Sequence, residues 1–518
     1  MSALRIVVGD LLDINTARSP YETALIDPAN HITMPWIEWN TQAVSLANFL
    51  IENSIGHGDR VVTFLRDAIE LPTSLFAVAK AGGIFVPVNY RLSPEELGYI
   101  VNDCAAKVLI FDEDGRQVVE RIRDRLKSVE VFIYTGTESP KYATLFNDLI
   151  NECKDIHREI PVSEDDVAAI MYTSGTTGRP KGTVHTHRGF LGAVTAWSQP
   201  AKITPLDRSL ALGPLYHVGG LLSNFLPTLY MGGSNVIQRQ FVPTDTLNWI
   251  KDHTITVIWA TPTHLNMLAS VEGVDEYDTS NLRAIQYSGA PLTLGLARKI
   301  RGIFSNVNLI NAYGMTELDA VSALYPEEHD EHLGSVGRAL PKTFVRIVAP
   351  GEADTDAEVS RNGVGEIIVK SPCVMREYWN LPDQTEKVLK NGWYFTGDLG
   401  KMDEDGYLFF MEREDDMIIS GGENIYPLEV ENYLSRHKKV RNVSVIGTPS
   451  EQWGEIVTAL VIKADESLTE QELDEYCLKS DELATYKRPK TYIFVNELPT
   501  TSSGKVDKKL LRAQWVNN

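Results

Sequence analysis

The chain has 518 residues, of which 43% are hydrophobic and 23% charged, so it can bury a large core spread over two or three domains. Its net charge of −21 repels phosphate backbones and argues against a nucleic-acid-binding protein. Any polyanionic ligand therefore needs a local basic patch.

Short β-rich runs recur through the first half of the chain, each followed by a turn and a helical pattern. The runs are Arg60–Leu65, Lys107–Phe111, Glu130–Tyr134, Val167–Tyr172, Thr256–Ala260 and Leu282–Tyr287. Strands that alternate with helices over such a length predict an α/β domain with largely parallel sheets.

The segment Ser209–Gln238 has no charged residue and has the length of a membrane span. Its prolines and glycines, Pro214 and Pro227 among them, interrupt any continuous helix. We therefore predict a buried strand, turn and helix there, and no integral membrane segment. The N-terminus has no apolar signal sequence and the four cysteines form no C-x-x-C pair, so we expect a reduced, cytoplasmic protein.

Near residue 335 the pattern changes to short strands with tight turns, which predicts a small β subdomain. A charged cluster, Glu412–Asp416, and the Gly421–Gly422 turn then precede renewed strand–helix alternation. We place a domain boundary there. The predicted fold is α/β, with a large N-terminal domain of stacked sheets plus the β subdomain over residues 1–413, and a small mobile α+β lid over residues 414–518.

A loop rich in small residues, YTSGTTGRPKG at 172–182, directly follows the predicted strand Val167–Tyr172. Small residues allow the backbone to approach an anion, their N–H and hydroxyl groups donate to phosphate oxygens, and Lys181 adds a positive charge. The spacing differs from the Walker A pattern. A flexible polar turn is the alternative, but the buried strand before the loop favours a phosphate site.

At this loop the chain resembles the adenylate-forming superfamily, and within it the acyl-CoA synthetases similar to bacterial fatty-acid ligases. One such string is weak support, but further motifs of the family follow in the family's order over nearly the whole chain. They are AGGIFVPVNYRLSPEEL (81–97), PLYHVGG (214–220), YSGAPL (287–292), NAYGMTE (311–317), YFTGDLG (394–400), EREDDMIISGGENIYP (412–427), YKRPK (486–490) and LPTTSSGKV (498–506).

The resemblance implies a nucleotide site built from several of these motifs. Its residues are Thr173, Ser174, Gly175, Thr176, Thr177, Gly178, Lys181, Gly289, Ala290, Pro291, Tyr313, Gly314, Thr316, Asp398 and Arg413. Tyr313 is implied to stack on adenine, Asp398 to accept the ribose hydroxyls from a Gly-flanked turn, and the catalytic Glu317 to hold Mg²⁺. Mg²⁺ prefers carboxylates together with substrate phosphates. A dipole-favoured acid in the first turn of a helix is the alternative role of Glu317.

Lys505 lies in a Thr/Ser/Gly loop ahead of a basic, helix-like tail. A carboxylate that attacks the α-phosphorus brings two anions together, and a mobile cation can bridge both in the transition state. The family places its catalytic lysine here. The alternative is that Lys505 merely belongs to the basic run with Lys508 and Lys509.

Coenzyme A requires a basic site of its own, and cations with an aromatic ring suit its phosphates and adenine. By resemblance the CoA-binding residues are Gly421, Gly422, Trp453, Tyr486, Arg488 and Lys490. The resemblance also makes Asp415 the hinge of a lid that rotates between two half-reactions. Relatives commonly have Gly or Asp before the hinge arginine Arg413, whereas this chain has Glu412.

The acyl pocket is implied only by resemblance, which makes His217 a catalytic gate between the nucleotide and acyl sites. The implied lining is His217, Gly219, Gly220 and Ala312. By the same resemblance, the small residues Gly219, Gly220, Ala290 and Ala312 imply a roomy apolar cavity, and hence a medium- or long-chain fatty acid or an aryl-alkyl acid. The alternative for a lone histidine beside apolar residues is a satisfied core group.

We therefore expect an acyl-CoA synthetase that uses ATP, Mg²⁺ and CoA to convert an apolar carboxylic acid into acyl-AMP and then into acyl-CoA, with release of AMP and pyrophosphate. The resemblance is compatible with a homodimer. Two alternatives stay open. One is another adenylate-forming enzyme that loads a carrier protein or oxidises its adenylate, and the other is a non-catalytic AMP-binding protein.

Overall fold

The structure is a computed structural model that describes residues 6–151, 160–173, 179–290, 292, 294–304, 306–329, 331–332, 334–351, 354–413, 416–420, 423–450, 452–480, 482–501 and 505–515. The strands are β1 Thr23–Asp27, β2 Ile32–Pro35, β3 Arg60–Phe64, β4 Ile84–Pro87, β5 Val108–Phe111, β6 Val131–Tyr134, β7 Thr144–Leu145, β8 Val167–Thr173, β9 Lys181–Thr186, β10 Arg208–Ala211, β11 Ser234–Val236, β12 Val257–Ala260, β13 Ala284–Tyr287, β14 Asn308–Tyr313, β15 Ser322–Leu324, β16 Arg338–Ala339, β17 Phe344–Val348, β18 Gly365–Lys370, β19 Glu377–Tyr378, β20 Leu389–Lys390, β21 Trp393–Met402, β22 Leu408–Arg413, β23 Ile418–Ser420, β24 Glu423–Ile425, β25 Val440–Ser450, β26 Gly454–Lys463 and β27 Thr491–Phe494.

The α-helices alternate with these strands through most of the chain. They are α1 Asp10–Arg18, α2 Trp36–Glu52, α3 Glu70–Lys80, α4 Pro94–Asp103, α5 Glu113–Ile122, α6 Phe146–Asn151, α7 His187–Ser198, α8 Val218–Gly220, α9 Leu226–Met231, α10 Pro243–Asp252, α11 Pro262–Leu268, α12 Leu294–Ile303, α13 Pro382–Val388, α14 Pro427–Leu434, α15 Glu470–Leu478 and α16 Lys508–Trp515.

Two large sheets form the N-terminal part of the chain. Over the described ranges their strand orders are β16-β15-β14-β13-β12-β10-β11-β1-β2 and β19-β9-β8-β4-β3-β5-β6-β7. Their inner strands run parallel. Antiparallel strands are added at the edges. The predicted α/β class is thereby confirmed.

The two sheets share one hydrophobic core. A single buried cluster contains Leu25 of β1 and Phe85 of β4, which belong to different sheets. Trp39 of α2 and Phe76 of α3 lie in the same cluster and meet edge to face, with ring centroids 5.3 Å apart. Helices between the sheets bury the apolar faces of both, which fixes the sheets relative to each other.

The uncharged segment folds as a buried strand, a turn and a helix, as predicted. After β10, a helical run comprises α8, a π-helical turn at Leu221–Phe225, and α9. The expectation that Pro227 interrupts the helix is wrong, because the proline stands in the first turn of α9, just after the π-helical turn. Gly232, with φ of +90°, ends the run. No helix in the described part of the chain is long and apolar enough to cross a bilayer.

A smaller antiparallel sheet corresponds to the predicted β subdomain. Its order among the described residues is β17-β18-β21-β20, with β22 paired to β21. It begins at Phe344, later than the predicted change near residue 335, because β16 still pairs with β15 of the first large sheet.

A fourth sheet lies in the C-terminal part and has its own core. Its order over the described ranges is β24-β23-β26-β25, and β27 pairs with β26 in parallel. Leu511 of α16 packs with Ile446 and Leu460 of this sheet. The chain changes sheets between β22 and β23. The boundary at residues 413 and 414 stays a prediction, because residues 414 and 415, including the expected hinge Asp415, lie outside the described residues.

Candidate active site

The phosphate-loop candidate connects two antiparallel strands of the second large sheet. Thr173, the last residue of β8, pairs with Lys181, the first residue of β9, and its Oγ1 lies 3.4 Å from the Lys181 carbonyl oxygen. The strand before the loop is therefore present as predicted. The expected phosphate-binding residues Ser174, Gly175, Thr176, Thr177 and Gly178 lie outside the described residues.

Tyr378 brings Lys181 and Glu317 together. The Lys181 Nζ lies 4.7 Å from the centroid of the Tyr378 ring, and the Tyr378 hydroxyl donates to Glu317 Oε1 at 2.9 Å. Burial raises the pKa of Tyr378, so the hydroxyl keeps its proton at neutral pH. Sequence reasoning missed Tyr378, because only the pairing of β19 with β9 places it beside the loop.

The NAYGMTE motif is a strand followed by a tight turn. Its first three residues close β14, and the turn begins at Gly314, where an added Cβ would lie 2.0 Å from the Asp319 carbonyl oxygen. Thr316 and Glu317 lie in this turn, both half-buried. The alternative of a first-turn helical acid is wrong for Glu317, because residues 314–320 form turns and no helix.

Asp398 lies within β21, so the predicted Gly-flanked turn is wrong. Gly397, with φ of +68°, lets the backbone bend while the strand continues. The carboxylate is buried; its Oδ2 accepts a hydrogen bond from the Tyr313 hydroxyl at 2.6 Å, and its Oδ1 accepts one from Arg413 Nε at 2.8 Å. Proximity of Asp398 raises the pKa of Arg413, so the guanidinium keeps its charge at neutral pH.

Lys505 reaches this cluster from the C-terminal part of the chain. Its Cε lies 3.3 Å from the position that a Cβ on Gly289 would occupy. Burial lowers the pKa of Lys505 and the nearby Arg413 guanidinium lowers it further. The carboxylates of Asp398 and Glu317 act in the opposite direction. Arg413, Asp398 and Glu317, which are all candidates for binding ATP or its Mg²⁺, therefore lie within electrostatic reach of the lysine.

The adenine-facing edge expected at residues 289–291 is described in part. Gly289 has φ of +88°, a backbone conformation that favours glycine. Ala290 follows it and is half-buried, while Pro291 lies outside the described residues. Lys505 therefore approaches this edge at the residue that has no side chain.

His217 caps the helical run and lies near Lys505. Its Nδ1 accepts a hydrogen bond from the Gly219 backbone N–H at 3.3 Å. Burial lowers the pKa of His217 to about 4, with a smaller contribution from the Lys505 charge. The imidazole is therefore neutral at physiological pH, and its proton resides on Nε2 because Nδ1 accepts.

The acyl-lining glycines pack against an indole. A Cβ on Gly219 would lie 2.4 Å from Cζ2 of Trp259, and one on Gly213 would lie 2.2 Å from its Cζ3. A Cβ on Gly220 would meet the Pro214 carbonyl oxygen at 2.5 Å. Close packing at the Cβ positions therefore requires glycine at both residues. The roomy apolar cavity expected beside them stays a prediction.

Trp259 is a residue of this region that sequence reasoning missed. It is 4% exposed, and its Nε1 donates to Ser288 Oγ at 3.0 Å. The register aligns Trp259 with Gln286 and Gln286 with Ile310, so these side chains share one face of the sheet. The buried Ala312 stands two residues beyond Ile310 and lies on the same face.

The CoA candidates divide into exposed and ion-paired residues. Trp453 is 46% exposed and Tyr486 is 47% exposed, and they precede the same end of the parallel strands β26 and β27. Lys490 is also exposed. Arg488 is held in an ion pair by Asp474. Gly421 and Gly422 lie outside the described residues.

This combination of sheets and motifs is that of an enzyme that adenylates carboxylic acids. The family model of the AMP-binding enzyme matches residues 12–379, and that of the AMP-binding enzyme C-terminal domain matches residues 429–505. The chain belongs to this adenylate-forming superfamily, as an AMP-forming acid–CoA ligase that uses ATP.

Curated relatives and solved structures cover almost the whole chain. The chain is 33% identical over 513 residues to the long-chain-fatty-acid–CoA ligase FadD13 of Mycobacterium tuberculosis, covering 98% of each chain. It is 34% identical over 500 residues to a feruloyl-CoA synthase of Amycolatopsis sp, covering 96% of each. The structure of the anthranilate CoA ligase AuaEII in complex with anthranoyl-AMP has a TM-score of 0.92 at 27% identity, covering 99% of this chain and 97% of that one. ATP-bound MatB from Rhodopseudomonas palustris has a TM-score of 0.89 at 29% identity, covering 98% and 99%.

Proposed function

We propose that this ligase activates an apolar carboxylic acid as acyl-AMP and transfers the acyl group to CoA, releasing AMP and pyrophosphate. The observation that carries the proposal is the position of Lys505 beside Gly289, within electrostatic reach of Asp398 and Glu317. The lysine and the nucleotide-site candidates lie far apart in sequence, so their meeting supports a shared task in the same reaction.

In the first half-reaction a carboxylate oxygen of the acid attacks the α-phosphorus of ATP, and the bond to pyrophosphate breaks. Lys505 bridges the two anions and stabilises the charge of the transition state. Lys181, at the start of β9, faces the departing pyrophosphate. Asp398 and Tyr313 orient the nucleoside, because their mutual hydrogen bond holds the carboxylate in one position.

Glu317 fits the role of a magnesium ligand. Its Oε1 accepts from Tyr378, while no hydrogen bond to its Oε2 is found among the residues that the structure describes. One carboxylate together with substrate phosphates meets the usual preference of this ion. Bound there, Mg²⁺ would neutralise phosphate charge. The hydrogen bond from Tyr378 would hold the carboxylate in place.

In the second half-reaction the CoA thiol attacks the acyl carbonyl, and AMP leaves. The exposed rings of Trp453 and Tyr486 provide surfaces on which the CoA adenine can stack. Lys490 provides an exposed cation for the phosphates. Arg488 joins them only by exchanging its partner Asp474 for a phosphate group.

Trp259 favours an aryl or short acyl group over a long chain. Its indole occupies the space beside Gly213 and Gly219, next to the helical run that His217 begins. A flat or short acid can stop at this ring, whereas a long chain must displace it. The Nε2–H of the neutral His217 is a donor that can orient the carboxylate between Lys505 and the indole.

An acid panel tests the function. The purified chain is incubated with ATP, Mg²⁺, CoA and, in turn, acetate, octanoate, palmitate, phenylacetate and ferulate, and AMP and acyl-CoA are measured. We expect acid-dependent AMP release with matching acyl-CoA, strongest for an aryl or short acid. AMP release without free acyl-CoA would select the carrier-loading or oxidising alternative. An absence of acid-dependent ATP turnover would leave the non-catalytic alternative.

A further inference from the structure

A buried ion triad joins the subdomain sheet to the C-terminal part of the chain. The Lys508 Nζ lies 2.9 Å from Glu412 Oε2 and 3.3 Å from Glu431 Oε1. Glu412 belongs to β22, Glu431 to α14, and Lys508 is the first residue of α16. The three side chains are at most 17% exposed, so water screens their interactions weakly.

One end of the triad touches the nucleotide-site candidates. Glu412 Oε1 accepts a hydrogen bond from the Arg413 backbone N–H at 3.1 Å, and the Arg413 side chain holds Asp398. The carboxylate of Glu412, the residue that departs from the pattern of relatives, is therefore held by the Arg413 N–H at one oxygen and by Lys508 at the other. Its position links the ribose-site candidate Asp398 to the cation of α16.

The other end of the triad fixes the loop of Lys505. Lys508 follows Lys505 by three positions. Two hydrogen bonds join Lys505 to Thr501, from the Lys505 N–H to Thr501 Oγ1 at 3.2 Å and from the Thr501 N–H to the Lys505 carbonyl oxygen at 2.7 Å. A third runs from the Asp507 N–H to the Pro499 carbonyl oxygen at 2.8 Å. Where Lys508 is held, Lys505 is held as well.

We infer that Glu412, Lys508 and Glu431 are positioning residues that hold the Lys505 loop at the nucleotide site for adenylation. The inference rests on the proposed function of Lys505. The thioester step requires no lysine at the α-phosphorus, so the triad serves only the first half-reaction. A merely structural triad would support both half-reactions equally.

The charge arrangement predicts how the variants should rank. Lys508→Met leaves two buried carboxylates, Glu412 of β22 and Glu431 of α14, without their shared cation, so the two carboxylates repel each other. Glu412→Gln keeps one carboxylate for the cation and is milder. Lys508→Arg keeps the charge and should retain most of the adenylation activity. A second ion pair, between Arg512 and Asp416 at 2.5 Å, also holds α16 in place.

The test compares the two half-reactions in the full-length chain. Pyrophosphate–ATP exchange measures adenylation, and acyl-CoA formation from supplied acyl-AMP measures the thioester step. We expect Lys508→Met to lower the exchange rate at least about 10-fold and the thioester rate less than about 3-fold. Losing one partner of a buried ion pair is costly, and only adenylation needs the triad to hold Lys505 at the nucleotide site. Equal loss in both half-reactions, or no loss in either, would overturn the inference.

A control and an independent readout complete the experiment. Lys479→Met removes a lysine from an exposed pair with Glu475 in the same part of the chain and should leave both rates unchanged. If the wild-type chain shows no ligase activity, limited trypsin digestion still tests the triad. Cleavage after Lys505, read by mass spectrometry, should become faster in Glu412→Gln than in the wild type and the Glu475→Gln control. Equal cleavage rates would refute the triad even in that case.

Discussion

Lys505 approaches the backbone at Gly289, where its Cε lies 3.3 Å from the position of a missing Cβ. Gly289 has φ of +88°, a conformation that favours glycine, and the nearby lysine leaves little room for a side chain at this position. A lysine from the C-terminal part can therefore lie flat against the edge that faces the expected adenine site.

Gly289→Ala should slow adenylation by about 10- to 100-fold, because the left-handed backbone costs an alanine roughly 1–2 kcal/mol and the added methyl pushes Lys505 away. Pyrophosphate–ATP exchange measures the effect. Gly302→Ala is the matched control, because among the described residues no atom outside the backbone of its own helix lies within 4 Å of its added Cβ. An exchange rate that is unchanged in Gly289→Ala would contradict the approach of Lys505 to this edge.

Lys505→Ala should lower the exchange rate by about 1,000-fold or more, because electrostatic stabilisation of the transition state is lost. Thioester formation from supplied acyl-AMP should fall far less. The exposed Lys479 provides the control variant Lys479→Ala. Unchanged exchange in Lys505→Ala would sink the catalytic assignment.

Tyr313→Phe should raise the KM for ATP by about 5- to 20-fold, since it removes a buried hydrogen bond to a charged carboxylate worth roughly 1–2 kcal/mol. The bond concerned is the 2.6 Å contact between the Tyr313 hydroxyl and Asp398 Oδ2. Initial rates at varied ATP concentration provide the measurement. Tyr433→Phe, which removes a hydroxyl that donates to the Tyr476 carbonyl oxygen, should leave the KM unchanged. Equal KM values in all three proteins would rule out a role for Tyr313 in nucleotide binding.

Trp259→Ala should shift the acid preference toward longer chains, because the indole that closes the space beside Gly219 is removed. The ratio of kcat/KM for dodecanoate to that for phenylacetate should rise about 10-fold or more, as several buried methylene groups gain room. A smaller folded fraction lowers kcat/KM for both acids equally, so it does not change their ratio. Trp259→Phe should give an intermediate ratio. A constant ratio would show that Trp259 does not line the acyl site.

Acid should destabilise the fold through its buried neutral histidines. His187 is fully buried, accepts the Val8 N–H on Nδ1 at 3.3 Å, and has a pKa that burial lowers to about 4. Between pH 6.5 and 4 the unfolded chain binds a proton here and the folded chain does not. The free energy of unfolding should therefore fall as pH drops through this range, by about 1.4 kcal/mol per pH unit for this group.

His187→Asn tests this pH dependence, because its side-chain oxygen can accept the same N–H and does not titrate. Urea unfolding midpoints at pH 7.5, 6 and 5 should fall less steeply with acid in the variant than in the wild type. His31→Asn is the control, since His31 is exposed with φ of +56° and asparagine tolerates that conformation. Parallel pH profiles in wild type and His187→Asn would contradict the assignment.

Much of the sheet architecture could be predicted from local patterns. The predicted strand Val167–Tyr172 appears as β8, Val167–Thr173, because apolar β-branched runs bounded by turn residues have few other buried conformations. Asp398 was misplaced because glycine on either side indicates a turn. The pairing of β21 with β18 and β22 keeps this segment extended, and Gly397 absorbs the bend.

The sequence by itself determined the alternation of strands and helices, the order of the motifs and the presence of a lysine in a small-residue loop. These features depend on residues close together in the chain, where propensity and periodicity act. Only the tertiary structure decided that Trp259 occupies the space beside Gly219 and that Lys508 lies between Glu412 and Glu431. Such partners come from distant segments, and sheet register and side-chain packing select them only when the whole chain has folded.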